Sequence, residues 1–134
     1  MNKEYIDKVA WICLKDKKIL STRSIGKETW YIPGGKREAG ESDQQALVRE
    51  IKEELSVNLK IGSIKLFGIF TAQAHGKAEG MKVRMTCYMA EYDGELAPAA
   101  EIERFGWLAY ADKNQSSAVD QIIFEDLKEK GLIL

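Results

Sequence analysis

The sequence predicts an α/β domain in which a mixed β-sheet is sandwiched between helices, an α/β/α arrangement. Three observations lead to this fold class. Short apolar segments bounded by turn residues run along most of the chain, one amphipathic helix pattern occurs early, and a second occurs near the C-terminus. The chain of 134 residues has no repeat and no linker-like segment. We therefore expect residues 1–134 to form a single domain with one core.

The first part of the chain predicts a β-hairpin and a further short strand. Residues 8–14 are mostly apolar and predict a strand, residues 15–18 form a charged turn, and residues 19–23 supply the hairpin partner. Residues 30–32 predict another strand. The sequence Pro33-Gly34-Gly35 ends it, because proline and two glycines disfavour continued strand pairing.

The first helix is predicted from Ser42 to about Leu55. Ser42 can cap the helix, and Gln45, three residues later, completes a capping box. At about 100° per residue, the apolar side chains cover roughly a quarter of the circumference. These side chains are Leu47, Val48, Ile51 and Leu55. We expect this stripe to pack on the sheet.

The second half predicts three strands and a closing helix. The strands are residues 64–72, 83–92 and 105–109, with Asp93-Gly94 turning the chain after the second. Ser116 or Ser117 opens the final helix, and Gly131 follows its end. The residues expected on its apolar face are Val119, Ile122, Ile123 and Leu127.

Composition excludes several classes of protein. A net charge of −1 provides no general attraction to nucleic acid or to an anionic membrane, so neither is expected as a partner. The chain has no apolar run of membrane-spanning length and no signal-peptide pattern at its start. Cys13 and Cys87 lie in apolar segments and are expected to be buried reduced thiols. The expected compartment is the cytoplasm.

Glutamates cluster on the first predicted helix. Glu50, Glu53 and Glu54 occupy an arc beside the apolar stripe, with Glu54 nearest its edge and Arg49 flanking the arc. Such a stretch is usually a solvated acidic face, but here Glu41 and a double glycine precede it. Like charges at this spacing repel one another. A bound Mg²⁺ or Mn²⁺ would compensate, since both prefer carboxylate oxygens.

The spacing of these residues resembles the signature of the Nudix hydrolases. Gly35 is followed after five residues by Glu41, and after seven more by the segment from Arg49 to Val57. One fixed position differs, because Ser56 stands where the family has glycine. The lead-in from Trp30 to Lys36 is also similar to the family. The resemblance implies the Nudix fold over nearly the whole chain.

The resemblance also implies a reaction and a set of roles. Nudix hydrolases cleave a nucleoside diphosphate linked to another moiety, by water attack on phosphorus, with Mg²⁺ as cofactor and Mn²⁺ able to substitute. Glu53 and Glu54 would be metal ligands together with the Gly34 carbonyl. Glu50 would be a ligand or the base that activates water, and Arg49 its orienting partner. Supporting roles are expected for two further residues, Glu41 and Gly35.

Ser56 raises a question about the end of the helix. A glycine there would adopt a left-handed conformation, which costs serine about 1 kcal/mol. Either Ser56 accepts this cost or Asn58 takes over the turn. Both alternatives leave the glutamates in place.

Six residues outside the signature are candidates for substrate binding: Arg23, Trp30, Lys36, Phe70, Arg84 and Glu101. The cationic side chains would bind phosphate, the aromatic rings would stack on a base, and the acid would add a metal ligand or base. Each also has an ordinary structural interpretation as a surface or packing residue. His75, in the glycine-containing loop 73–80, is either a further candidate base or an exposed residue without a role.

The first expectation for the substrate is a nucleoside triphosphate, ribo or deoxy, canonical or oxidised. ADP-ribose or a sugar nucleotide is the alternative. A second alternative is a non-catalytic module that binds a nucleotide, although such modules typically lose carboxylates that are all present here. The sequence leaves open which glutamate is the base and whether the chain forms a homodimer.

Overall fold

The computed structural model describes residues 5–74 and 80–134. His75, the candidate base of the loop 73–80, lies outside the described residues. The helices are α1 (Asp43–Leu55) and α2 (Ala118–Glu129). The strands are β1 (Tyr5–Trp11), β2 (Leu14–Lys15), β3 (Lys18–Ser24), β4 (Trp30–Tyr31), β5 (Gly34–Gly35), β6 (Asn58–Leu59), β7 (Lys65–Gln73), β8 (Lys82–Met89), β9 (Tyr92–Asp93) and β10 (Ile102–Leu108). Short 3₁₀ helices span Ile61–Ser63 and Tyr110–Gln115.

The strands form two main sheets and one small one. The first has the order β5-β1-β8-β7 and is mixed, because β1 and β8 run parallel while the other neighbours are antiparallel. The second has the order β10-β3-β2, with β4 also paired to β3. A two-stranded ladder joins β6 to β9. The strands are therefore divided among separate sheets and do not form a single one.

Alternation along β1 places one helix on each side of the first sheet. Val9 and Trp11 belong to the core cluster that contains the apolar residues of α1. Ala10 and, just past the strand, Ile12 belong to the cluster that contains the apolar residues of α2. Neighbouring residues of a strand point to opposite faces, so this pattern requires two covered faces. The predicted α/β/α arrangement is confirmed.

The first helix has the predicted caps. Ser42 and Gln45 form the reciprocal capping box. Ser56 adopts the left-handed conformation, with φ of 68°, and its N–H donates to Lys52 O at 3.1 Å. The Ser56 hydroxyl also donates to Ala97 O at 3.1 Å. Asn58 begins β6, so the alternative in which it takes over the turn is wrong.

The second helix differs from its prediction at one position. It follows Ser117, and Gly131 beyond its end has a φ of 74°. Ile122, expected on the apolar face, is instead 42% exposed. At 100° per residue it lies about 100° from the centre of the arc set by the other three predicted residues. Phe124 and the fully buried Asp120 complete the inward face.

Two predicted strands are interrupted. The strand predicted over residues 8–14 ends at Trp11, and residues 14–15 pair instead with β3. The strand predicted over residues 83–92 ends at Met89, and the chain then pairs with β6. In both cases the chain passes from one sheet to another within the apolar segment, so the predicted strand ends early. Both cysteines are buried free thiols, as predicted. Within the described residues, no helix has the length and apolarity to cross a membrane.

Candidate active site

Two glycines allow close contacts to the backbone of β5. A Cβ on Gly34 would lie 2.0 Å from Val9 O, because β5 pairs closely with β1. A Cβ on Gly35 would lie 2.4 Å from the Glu50 carboxyl group. Neither position can carry a side chain without displacing its neighbours. Gly35 therefore lets Glu50 of α1 lie against β5, and Gly34 lets β5 pair closely with β1.

Glu54 is the most buried acid of the glutamate cluster, with 6% of its surface exposed. Its Oε1 atom accepts a long hydrogen bond from Gly34 N–H at 3.4 Å. Burial, followed by the nearby charges of Glu50 and Glu101, raises the pKa of Glu54 to about 8. Burial also raises the pKa of Glu50, against the opposing effect of Arg49. A hydrogen bond between the Glu50 and Glu54 side chains contributes to the pKa of both, so the two carboxyl groups lie close together.

Arg49 holds the rest of the cluster together. Its Nε and Nη2 atoms donate to both oxygens of Glu41, at 2.7 and 2.9 Å. Its Nη1 atom lies 3.2 Å from Glu50 and 3.4 Å from Glu53, and Nη2 donates to Lys36 O at 3.1 Å. The hydrogen bonds from Arg49 lower the pKa of Glu41 to about 2. The predicted contact between Arg49 and Glu50 is present, but the strongest partner of Arg49 is Glu41.

The glutamate oxygens are of a type that binds divalent cations, but the side chains are not arranged around a common point. Among residues 5–74 and 80–134, no three acidic, histidine or cysteine side chains are arranged to hold a metal ion. Glu53 is half-exposed and turned toward Arg49, which stands between it and Glu50. The oxygens themselves are the hard ligands that Mg²⁺ and Mn²⁺ prefer. A proton held by a carboxyl group with a raised pKa is one that a cation can replace.

Two cavities adjoin this cluster. The first, called here the acidic cavity, has a volume of about 230 Å³ and is lined in part by Gly34, Gly35, Glu54 and Glu101. The second, called here the lysine cavity, has a volume of about 260 Å³ and is lined in part by Lys8, Lys36 and Ser117. The side chains that line both cavities are Lys8, Tyr31 and Met85. The two cavities are therefore adjacent.

Two of the predicted site residues, Glu101 and Lys36, lie near the glutamates. Glu101 shares the acidic cavity with Glu54 and contributes to its raised pKa. Lys36 lines the lysine cavity, and its carbonyl oxygen accepts from Arg49. Their predicted contacts with metal or phosphate stay predictions.

Arg23 and Trp30 face each other where β3 pairs with β4. The Arg23 guanidinium lies 5.6 Å from the centre of the Trp30 ring and 3.5 Å from Glu103. Its Nε atom is buried and has no hydrogen-bond partner within the described part of the chain. The flanking residues Thr22 and Ser24 line the acidic cavity. The role of Arg23 in binding phosphate stays a prediction.

Arg84 and Phe70 are engaged elsewhere. Arg84 donates to both oxygens of Asp7, at 2.7 and 3.2 Å, and lies over the Tyr5 ring. Phe70 packs against the α2 side of the core, with its ring centre 6.2 Å from that of Phe67. Neither side chain lines the acidic or the lysine cavity. The structure does not bring these two candidates to the glutamates, and their substrate contacts stay predictions.

Sequence reasoning missed Lys8 and Asp120. Lys8 lies on the same face of β1 as Ile6 and Ala10, and burial lowers its pKa. Asp120 is completely buried, and burial raises its pKa to about 7. Both are charged residues at positions where the repeat pattern of the strand or helix predicts an apolar side chain, and this signal could have identified them. An alternating strand face and an amphipathic helix face both predict an apolar side chain there.

The NUDIX domain family model matches residues 6–124. The chain belongs to the NUDIX family. A segment of 61 residues is 41% identical to the CTP pyrophosphohydrolase of Escherichia coli K12, covering 42% of this chain and 45% of that protein. A segment of 48 residues is 42% identical to the nucleoside triphosphatase NudI of an Enterobacter species, covering 36% and 34%. The match therefore spans less than half the length of these curated relatives.

Solved NUDIX structures match over most of the chain. The MutT NUDIX hydrolase of Burkholderia pseudomallei is 25% identical with a TM-score of 0.74, covering 92% of this chain and 98% of that one. The ORF135 protein of E. coli is 25% identical with a TM-score of 0.72, covering 92% and 91%. The resemblance read from residues 35–57 and the Nudix fold that it implied are both confirmed.

Proposed function

We propose that this NUDIX protein is a divalent-cation-dependent pyrophosphohydrolase that cleaves a small nucleotide by attack of water on phosphorus. The observation that carries the proposal is the pair of Glu50 and Glu54. Their carboxyl groups meet against the Gly34–Gly35 backbone in a partly buried position, where burial raises the pKa of Glu54 to about 8. Paired carboxylates at the edge of a cavity can hold a cation and accept a proton from water.

The side chains supply most of the required parts. Glu50, Glu53, Glu54 and the Gly34 carbonyl would hold Mg²⁺ or Mn²⁺, which neutralises pyrophosphate and lowers the pKa of bound water when present. Arg49, anchored by Glu41, sets the orientation of Glu50. The acid that takes the proton is one of the carboxylates facing the acidic cavity or its edge, and Glu101 belongs to this set.

A nucleoside triphosphate, canonical or non-standard, is the proposed substrate class. Relatives named CTP pyrophosphohydrolase and nucleoside triphosphatase support it. The lysine cavity also supports it, because apolar walls next to a site for phosphate chemistry suit a nucleobase. ADP-ribose or a sugar nucleotide remains the alternative substrate.

A non-catalytic nucleotide-binding module is the second candidate. The observation that favours it is the absence, among the described residues, of three acidic side chains already arranged around a cation. This candidate requires that nucleotides bind without being cleaved, both with and without Mg²⁺.

A nucleotide panel tests the proposal. Canonical and oxidised dNTPs, NTPs, ADP-ribose and sugar nucleotides would be incubated with Mg²⁺, with Mn²⁺ and with EDTA, and release of phosphate, pyrophosphate and nucleoside monophosphate would be followed. Metal-dependent cleavage of one class is the expected result. Binding of nucleotides without cleavage under any condition would favour the non-catalytic module.

A further inference from the structure

The lysine cavity has an uneven set of charges. Lys8 and Lys36 line it, and no carboxylate of the described part of the chain does. Among the described residues, neither ammonium group forms an ion pair or a hydrogen bond. The remaining walls combine apolar side chains, including Ile6, Val83 and Val119, with the polar side chains of Gln73 and Ser117. Such a cavity suits a flat apolar group whose rim carries hydrogen-bond acceptors.

Lys8 occupies the boundary between this cavity and the acidic one. Its side chain projects from β1 on the α2 side, half-buried, with Nζ 5.9 Å from the centre of the Tyr31 ring. It lines both cavities. Burial lowers the pKa of Lys8, and among the nearby acids Asp120 opposes this effect more than Glu54 and Glu50 do.

Asp120 supports the charge of Lys8 without competing for the ligand. It is completely buried, and its Oδ2 atom accepts from Ile32 N–H at 2.8 Å. It lines neither cavity. Asp120 thus lies outside both cavities, and in its ionised form it favours the charged Lys8 ammonium through space. The N–H groups of Lys8 remain available to a molecule in the cavity.

We propose that Lys8 is a specificity-determining residue that donates a hydrogen bond to a carbonyl oxygen of the nucleobase. This inference rests on the proposed function, with the phosphates at the glutamates and the base in the lysine cavity. An ammonium group has three donors and no acceptor, so an exocyclic amine placed against it would lose its hydrogen bond. A site built in this way discriminates against the analogue that lacks the matching group. The protein should therefore prefer bases with a carbonyl over their amino counterparts.

Two matched substrate pairs test this preference. UTP and CTP differ by a carbonyl in place of an amine on the pyrimidine, and ITP and ATP differ in the same way on the purine. The wild type should show a kcat/KM higher by roughly 10- to 100-fold for UTP and ITP, as expected for a hydrogen bond to a charged group. In Lys8→Met the ratio should fall toward one, chiefly through a higher KM for the carbonyl substrates. Lys8→Arg should restore part of the preference.

The control is Lys18→Met, which removes an exposed lysine of the β2–β3 hairpin. It should leave both ratios unchanged. An unchanged preference in folded Lys8→Met, or no preference in the wild type, would overturn the proposal. If Lys8→Met fails to fold because Asp120 has lost its counter-charge, the variant Lys8→Met with Asp120→Asn replaces it.

Binding of products separates the two proposals. UMP and CMP would be titrated into the wild type and Lys8→Met by calorimetry in EDTA. A preference of the wild type for UMP that Lys8→Met abolishes supports the role of Lys8 even when no triphosphate is hydrolysed, and only the proposed activity then fails. Equal affinities of the wild type for UMP and CMP reject the role of Lys8 while leaving hydrolysis to the nucleotide panel.

Discussion

At the scale of single residues, the candidate site depends on the absence of side chains as much as on their presence. A Cβ on Gly35 would lie 2.4 Å from the Glu50 carboxyl group, and one on Gly34 would lie 2.0 Å from Val9 O. Burial then turns Glu54 into an acid with a pKa of about 8. Small residues and burial together give two neighbouring glutamates properties that neither would have on an exposed helix.

Gly35→Ala should displace Glu50, because the added methyl group would lie 2.4 Å from its carboxyl group. Because this carboxyl group ends a flexible side chain that can move aside, we expect a loss in the free energy of unfolding below the roughly 1–3 kcal/mol typical of overpacking, together with a tenfold or greater loss of turnover. Thermal denaturation and Mg²⁺-dependent hydrolysis measure both. Gly62→Ala is the matched control, since a Cβ there meets no atom within 4 Å. Equal behaviour of the two variants would contradict the proposed packing.

Mg²⁺ affinity should depend on the protonation of Glu54. Below its pKa of about 8 the carboxyl group holds a proton that the cation must displace, so affinity should rise with pH and level off above that value. Titration calorimetry at several pH values measures this. Glu54→Gln should flatten the dependence and remove most activity with the fold intact, whereas Glu95→Gln, at an exposed position, should change neither. An affinity independent of pH in the wild type would count against the assignment of Glu54.

At the scale of elements, α1 carries the site and its two ends determine how it is placed. The capping box at Ser42 and the left-handed residue Ser56 define the length of the helix. Backbone N–H groups of Ala97 and Ala99 donate to Leu55 O and Glu54 O at 3.0 Å, which ties the helix end to the segment before β10. Glu101 follows on that segment. The end of α1 therefore helps to bring Glu54 and Glu101 to one cavity.

Substitutions at Ser56 should separate backbone strain from hydrogen bonding. Ser56→Gly relieves the left-handed conformation but loses the hydrogen bond to Ala97, so its net stabilisation should stay below about 1 kcal/mol. Ser56→Ala keeps the strain and loses the bond, so it should be destabilised. Denaturant unfolding should place the glycine variant above the alanine variant by about 1 kcal/mol. The reverse order would show that the left-handed conformation carries no cost here.

At the scale of the whole molecule, the two helices cover opposite faces of the first sheet and both contribute charged groups to its interior. α1 contributes Glu54, and α2 contributes Asp120, which meets the charge of Lys8 from β1. The acidic and lysine cavities lie where these elements converge. This placement joins a candidate cation site to a candidate base site without any further domain.

Asp120 should make the stability of the whole fold fall as pH rises. Its pKa is about 7 in the folded protein against an ordinary value of 3.8, because burial opposes ionisation. Between these values the folded state binds more protons than the unfolded state, so the free energy of unfolding decreases with increasing pH. Asp120→Asn should weaken this decrease, as measured by denaturant unfolding from acidic to neutral pH. An identical pH dependence in both proteins would argue against the buried, protonated carboxyl group.

Local patterns in the sequence determined the fold class, both helices with their caps, and the family to which residues 35–57 point. Those features depend on residues close together in the chain, where period, capping and turn chemistry act directly. The exposure of Ile122 and the division of the strands between sheets depend on long-range pairing instead. The same holds for Arg84, which pairs with Asp7, and for Phe70, which packs against Phe67.

The sequence by itself thus determined which residues could hold a cation, while only the tertiary structure decided which of them meet. Burial, which raises the pKa of Glu54, and the approach of Glu101 to it require contacts between distant segments. Lys8 and Asp120, 112 positions apart by their numbers, interact only because β1 and α2 pack together. Electrostatic effects of this kind depend on distance in space and on exclusion of water, neither of which has a local pattern in the chain.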